Sequence, residues 1–420
     1  VAYSPSVWPV PDRYIDGGKE AGPGSVASAT FTAPMTQFKP VDKRTRLEDT
    51  AWRNSRAHLY NLIDGVRIAD MSMGGPIFAD TIGYPILGVT GDYYQFVSGG
   101  VIGTSSSLSG SMSAGATSVV VSSGTGFAIG KIISVGGTGT IAEEVRSVTA
   151  ISPGLAPGTL TLNAALYQGH ATGGTVISYA SYNGVGHTFT LLNSGTGAGG
   201  SMSAQPPTYT YYDWTGVPAG SGARQYSFGR FSEVTITGSA EGLVMWDAKM
   251  VALASQIAGS TPSVIISPVA PQPAWVSTLA IAGAGTQNNA EWKLTLTQKT
   301  GPKFTNQGTQ DPYANPAGYL DAALAFNFDP ISDESEFNLY VNNTQPTIQI
   351  VAANNLPGTN AASLTINAQA AGFDAGEYDD TKDVFALTES AKLIASTALA
   401  GPSGGYSPVS LTLVNQVVNY

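Results

Sequence analysis

Cysteine is absent from the 420 residues, which excludes disulfide staples, thiolate metal ligands and a cysteine nucleophile. A chain this long can bury enough apolar surface to fold without staples. Charge is scarce as well. Lys, Arg, Asp and Glu make up 11% of the residues, against roughly 25% in an average soluble domain, so much of the surface must be neutral and polar or covered by other copies. No stretch approaches the roughly 18 to 20 apolar residues of a membrane-spanning helix. The opening VAYSPSVWPVPDRY lacks a basic segment followed by an apolar run, so neither a membrane anchor nor secretory targeting is expected. Basic residues are outnumbered 19 to 29, and a net charge of -10 makes the average surface repel phosphate, against tight nucleic-acid binding.

What is present is turn chemistry. Fifty Gly and 25 Pro suit many turns and few long helices, and the expected fold class is mainly β. Residues 1–46 carry widely spaced aromatics (Tyr3, Trp8, Tyr14, Phe31, Phe38) with no sustained period, and read as an extended arm packing against the domain or a neighbouring subunit. From Thr50 to Phe78 the pattern becomes alternating, with Asp64 and Gly65 read as a hairpin turn. A short helix opening near Asp80 is limited by Pro85 to a turn or two. Residues 101–183 change texture: short Val/Ile/Thr runs at 118–121, 132–135, 144–148, 160–162 and 176–179 alternate with Gly-rich turns, which marks a small β-module inserted into the chain. Beyond it, GHTFTLLNS and PPTYTYYDW continue as strands. Residues 243–257 fit helical spacing (Leu243, Trp246, Met250, Leu253, Ile257) and strand spacing (Val244, Trp246, Ala248, Met250, Ala252) equally well. A helix is expected at 333–342, where Asp333 and Glu336 make a capping-box-like start and Phe337, Tyr340 and Val341 share a face. The rest of the C-terminal third reads as strands.

Residues that carry chemistry are dispersed. The three histidines, His58, His170 and His187, are far apart, and each reads as a polar residue in or beside a strand rather than a metal ligand or triad member. GTGAGG at 195–200 matches a dinucleotide-loop pattern, but Pro206 and Pro207 forbid the helix that should follow, so a flexible linker is expected. Carboxylates cluster at Asp333, Glu334 and Glu336, explained by a helix start, and at Asp374, Glu377, Asp379, Asp380 and Asp383. The second cluster reads as a solvated turn, and as a calcium loop it lacks the EF-hand register. Basic Lys39, Lys43, Arg44, Arg46, Arg53 and Arg56 lie among Asp42, Glu48 and Asp49, a mixture suited to a contact surface between subunits. No catalytic, cofactor or metal site is expected, and the chain reads as a non-enzyme.

Four segments, Thr50 to Tyr93, Ala223 to Ala252, Pro273 to Gly283 and Asp311 to Asn343, resemble the major tail tube proteins of siphophages, in that family's order. The resemblance implies a β-sandwich of residues 47–100 and 184–420 with one flanking helix, and strand for residues 243–254. It further implies six copies per ring, and rings stacked through an arm or loop into a conduit for viral double-stranded DNA. Tape measure, tail terminator and distal tail proteins would be its partners, and the virion its location after synthesis in the bacterial host cytoplasm. It does not cover 101–183, which would be an outward-facing decoration like the Ig-like modules of such proteins. On this reading Glu233, Glu241 and Asp247 face an acidic, non-adhesive bore, and Trp8, Tyr14, Phe31, Phe38, Arg44 and Arg46 make intersubunit or inter-ring contacts. Two alternatives stand beside it: an extracellular carbohydrate-binding or adhesin β-sandwich with Tyr209, Tyr211 and Tyr212 as sugar platform, and a polysaccharide-degrading enzyme using Asp374 and Glu377.

Overall fold

The computed structural model describes residues 13–137, 139–152, 157–193, 205–215, 224–258, 264–265, 267–282, 285–306, 308–328, 335–354, 362–379 and 386–420. The chain begins with β1 (Tyr14–Lys19) and β2 (Phe31–Thr32), runs out along β3 (Gln37–Asp49), and returns along β4 (Asn61–Pro76) to helix α1 (Gly83–Thr90). β5 (Gly91–Ser98) leads into β6 (Val101–Ser107), β7 (Ser118–Val121), β8 (Ile132–Val135), β9 (Glu144–Ile151), β10 (Gly158–Leu162) and β11 (Thr175–Ser181), and β12 (Gly184–Leu191) leads out. Next come β13 (Tyr209–Trp214), β14 (Arg224–Ser239), β15 (Met245–Ala252), β16 (Gln256–Ile257), β17 (Thr278–Ile281), β18 (Gly285–Gln287), β19 (Glu291–Thr300) and β20 (Ala317–Phe328). Helix α2 (Ser335–Asn342) precedes β21 (Ile348–Ala353), β22 (Ser363–Ala368), β23 (Ala371–Asp379), β24 (Ala386–Leu393) and β25 (Ser410–Asn415).

The fold is mainly β, and the strands form three sheets. A twelve-stranded sheet has β2-β1-β13-β14-β19-β20-β24-β23 as its path, with β15, β4 and β3 branching in turn from β14 and the short β16 also paired to β14. A seven-stranded sheet runs β18-β17-β21-β22-β25-β12-β5. One apolar core joins the two, with Val234, Trp292, Leu294 and Phe326 from the first and Phe189, Ile366, Leu411 and Leu413 from the second. In β15 Trp246, Ala248, Met250 and Ala252 are buried while Met245, Asp247 and Lys249 are exposed. This period of two resolves the ambiguous segment as strand.

Two eight-residue helices are present among the described residues, close to the two places where the sequence marks them, whereas the tail-tube resemblance implied one flanking helix. All of α1 is buried. Pro85 lies in its first turn, where a missing N–H breaks no helical hydrogen bond, and Gly91 ends it at φ 87 with its N–H donating to Leu87 O. A Cβ on Gly83 would stand 2.3 Å from Tyr420, and one on Gly88 2.3 Å from Phe231; the two glycines are notches that admit those rings. Tyr420 is buried. Its hydroxyl donates to Ala79 O at 3.0 Å and accepts from Asn415 Nδ2 at 2.5 Å. His187 packs edge-on to it at 4.7 Å, and burial holds the imidazole neutral by lowering its pKa to about 4. Helix α2 occupies the described part of the expected 333–342; residues 333 and 334 lie outside the described residues. Its buried positions are Glu336 and Leu339 rather than the expected Phe337, Tyr340 and Val341 face, and Val341 is exposed.

The strands of 101–181 pair only with one another, in the order β6-β11-β8-β9-β10-β7. The ends meet through a Leu108–Val121 bridge and through Ser122 N to Ser107 O at 2.8 Å. The module is therefore one sheet closing on itself around Val119, Ile133, Val148 and Leu160, and not the two-sheet sandwich of an Ig-like domain. It replaces the turn of a hairpin, because β5 and β12 pair antiparallel from Ser98–Gly184 onward. It is also clamped. Arg146 is wholly buried, bonded to Glu144 at 2.5 Å and to Gln95 Oε1 of β5 at 2.7 Å. Glu144 further accepts from the Tyr167 and Gln168 backbone N–H groups at 2.6 and 2.7 Å, and His170 Nε2 stands 3.1 Å from it.

Three expectations are made specific here. Of the stretch expected to pack its aromatics on the domain or a neighbour, residues 14–38 pack on the domain itself: β1 pairs with β13, and Phe31 and Phe38 are buried. The expected boundary at 46/47 falls inside β3. Asp64 and Gly65 are not a turn. They sit within the continuous strand β4, at a register shift between Arg44 and Arg46 of β3, so Gly65 marks a bulge, where a Cβ would stand 3.1 Å from Thr45 O.

Two stability outcomes follow. Gly88→Ala should cost about 1–3 kcal/mol by overpacking against Phe231. Arg146→Ala should cost about 3–5 kcal/mol by leaving Glu144 buried without its cation. Urea denaturation of each variant against the parent chain checks both values.

Candidate assembly surfaces

Past Ala69, β4 leaves the body. Its pairing with β15 covers Ala69 to Pro76 only, so residues 61–68 pair with β3 alone and project roughly 25 Å at about 3.3 Å per residue. A free two-stranded ribbon is marginal, and this one is pinned at its base and along its length. At the base Arg67 makes a fork to Asp311 at 2.7 and 3.1 Å, with Arg67 N donating to Gln310 O. Along the ribbon Lys43 pairs with Asp70, Arg46 with Asp64 and Arg53 with Asp49, and Arg53 lies over the Tyr60 ring at 5.0 Å. Exposed apolar side chains nevertheless accumulate on it: Val41, Leu47, Leu59, Leu62, Ile63 and Val66, with Trp52 fully exposed. Leu47 and Ile63 sit directly opposite each other. Such a density on one projecting element is the mark of a contact surface.

A second surface is the outer face of the large sheet. Alternation puts Asp247 and Lys249 of β15, Glu233 and Thr235 of β14, Glu291, Lys293, Thr295, Thr297 and Lys299 of β19, and Asp321 and Ala323 of β20 on the side away from the core. Cross-strand register sets Thr235 beside both Asp247 and Thr295. Lys249 Nζ bonds Glu233 at 3.0 Å. Four carboxylates and three lysines among short polar side chains leave the face close to neutral. Asp247 lies over the backbone of β4, where a Cβ on Gly74 would stand 2.4 Å from its Oδ1.

Of the residues expected at a bore, Glu233 and Asp247 share this face. Glu241 does not, since it lies exposed in the turn between β14 and β15. Of those expected in an arm, Arg44 and Arg46 are exposed on β3. Phe31 stacks on Tyr84 of α1 at 3.8 Å, Phe38 packs against Tyr211 and Tyr226, and Tyr14 packs against Trp214; their places in a short, closely paired strand system account for this. Trp8 lies outside the described residues, as do the 195–200 glycine run, Asp333, Glu334, Asp380 and Asp383.

Tyr209, Tyr211 and Tyr212 are buried and form no exposed platform; burial pushes the Tyr211 hydroxyl well up from its ordinary value. Asp374 accepts from Ser390 Oγ at 2.6 Å and pairs with Lys392 at 3.3 Å. This hydrogen bond foremost holds its carboxyl below the ordinary value. The segment 374–379 is strand β23, not a turn. His58 is exposed, while His170 and His187 are buried. No group of three or more potential metal ligands occurs among the described residues, and no helix among them is long and apolar enough to cross a membrane. A cleft of about 800 Å³ opens between module and body, lined among others by Lys19, Tyr93, Tyr167, Phe228, Arg230 and Tyr313. Burial lowers the Arg230 pKa to about 10.

Neither a scan against protein-family models nor a search of curated proteins returns a match for this chain.

Sequence reading missed the ribbon's exposed apolar residues. Leu47 and Ile63 lie on one face of the ribbon and Leu62, the neighbour of Ile63, on the other, but nothing in a sequence tells whether a second sheet covers either face. Because Trp52 touches so little, Trp52→Ser should leave the stability of the free chain within about 0.5 kcal/mol of the parent; a thermal melt of the two proteins checks it.

Proposed function

We propose that the chain is a structural subunit that self-assembles into a hollow tube, acting as the tail tube protein of a long-tailed bacteriophage. The observation that carries this reading is the projecting β3–β4 ribbon, whose exposed Trp52, Leu47, Leu62 and Ile63 call for a partner surface that the described residues do not supply. A head-to-tail contact of this kind joins different patches on successive copies, and repetition makes a ring or a filament instead of a closed dimer. The sheet also ends in strands β3 and β23, which pair on one side only among the described residues. Sister copies would cover such edges, which otherwise invite aggregation.

The near-neutral outer face suits a wall along which DNA slides. Its lysines are interleaved with carboxylates, and Lys249 is already bonded to Glu233, so phosphates meet no basic track. Stacked hexameric rings, the tape measure, tail terminator and distal tail proteins as partners, and a place in the virion rest on the resemblance of the four sequence segments. The reading assigns no catalytic residue, cofactor or metal. The sugar-binding alternative loses its three tyrosines to the core, so no specific observation favours it.

Negative-stain microscopy of the purified chain, concentrated in steps, should show rings of uniform diameter and hollow filaments. The triple variant Trp52→Ser, Leu62→Ser, Ile63→Ser should stay folded by circular dichroism yet form no filaments. Filaments undiminished in the triple variant would remove the ribbon from the assembly, and parent chains that stay monomeric at every concentration would overturn the reading.

A further inference from the structure

Glu389 lies in the middle of β24 on its inner face, opposite Phe326 of β20 and Gly376 of β23. It is 1% exposed, and neither carboxyl oxygen has a hydrogen-bond partner. Above it lies α2. A Cβ on Gly376 would stand 3.3 Å from Tyr340, 3.4 Å from Phe337 and 3.5 Å from Glu389 Oε1, so the glycine is the gap through which helix and carboxyl approach each other. Phe337 also packs on Tyr378 at 4.8 Å. The first turn of α2 brings a second buried carboxyl, Glu336.

We propose that α2 is a proton-gated latch: it rests on β23 and β24 while the Glu389 carboxyl carries its proton, and it lifts when Glu389 ionises against Glu336. A helix of eight residues has too few hydrogen bonds to persist alone, so whether it forms is decided by this packing. A buried carboxyl with no donor keeps its proton, because the ion would be desolvated without compensation. Among the described residues Glu336 is the charged group that bears on Glu389. Asp374 and Lys392 pair with each other on the opposite face of the sheet, and Glu377 alternates to that face as well. Among the described residues no basic side chain offsets the pair; Phe326 stands opposite Glu389, and Phe337 packs on Tyr378 beside it.

Burial first, and Glu336 second, push the Glu389 pKa up to about 8. A raised carboxyl favours the closed, protonated form. That contribution is complete below the ordinary carboxyl value, falls as pH rises, and is lost once pH passes about 8. Lifting α2 would uncover Leu339, Phe337 and the inner side of edge strand β23. The latch belongs to the single subunit and does not rest on the tube reading.

Hydrogen exchange of the full chain at about pH 6 and about pH 9, corrected for the intrinsic rate, tests it. Opening of α2 should grow about tenfold per pH unit up to about pH 8, and so about a hundredfold between the two conditions, while α1 keeps its protection. In Glu389→Gln the α2 peptides should be equally protected at both pH values. In Glu336→Gln the midpoint should move to lower pH. Protection of α2 in the parent chain that does not change with pH, or a pH-dependent loss that survives in Glu389→Gln, would overturn the proposal.

Discussion

The body of this protein depends on how closely helix α1 can approach its neighbours. A helix apolar on every side can exist only if covered all round, and α1 is covered by strands from both large sheets. The cover is tight because two of its eight residues have no side chain: Gly83 receives Tyr420, and Gly88 receives Phe231. Tyr420 comes from the last residues described and Phe231 from β14, one of two sixteen-residue strands of the large sheet, so the helix fastens remote parts of the chain to one point. The buried hydrogen bonds of Tyr420 to Ala79 and Asn415 satisfy the only polar atom on that ring, which would otherwise oppose burial.

Against that apolar centre, the module is held by charge. Arg146, Glu144 and Gln95 form a buried polar contact between β9 and β5, and such a contact is exacting because each partner left unsatisfied is costly. Its geometric demands fix the module's orientation on the body more strictly than apolar packing would. The ribbon is the reverse case. It is held to the body by one narrow join and an Arg67–Asp311 fork, and it presents its apolar residues outward.

Local chemistry was legible in the sequence where it has a local cause. The mainly-β class followed from turn residues and strand alternation, and Pro85 limited α1 to the two turns it has. The texture of 101–183 coincides with a sheet that pairs only within itself. What could not be read depends on layers the sequence does not display. Asp64–Gly65 is a strong hairpin signal, yet the glycine serves a bulge, because the return strand had already begun at Asn61. Phe31 and Phe38 lack periodic neighbours and so read as an arm, although each fills a place in the core. Glu233 and Asp247 could be placed on one face only with the register of β14 and β15 known. Glu389 stands in an ordinary alternating strand, and its burial comes from a helix some fifty residues earlier.

Splicing the module into the turn between β5 and β12 also has a mechanical consequence. Its two chain ends leave side by side, so a pull on the module loads the paired strands at one end and would open them bond by bond, as a zipper does, not all at once in shear. The Arg146–Gln95 bond ties the module to the fourth of those pairs, Gln95–His187, and so bridges the first three against the opening load. An appendage attached in this way can be tugged, and even torn loose, while the sheet behind it stays registered.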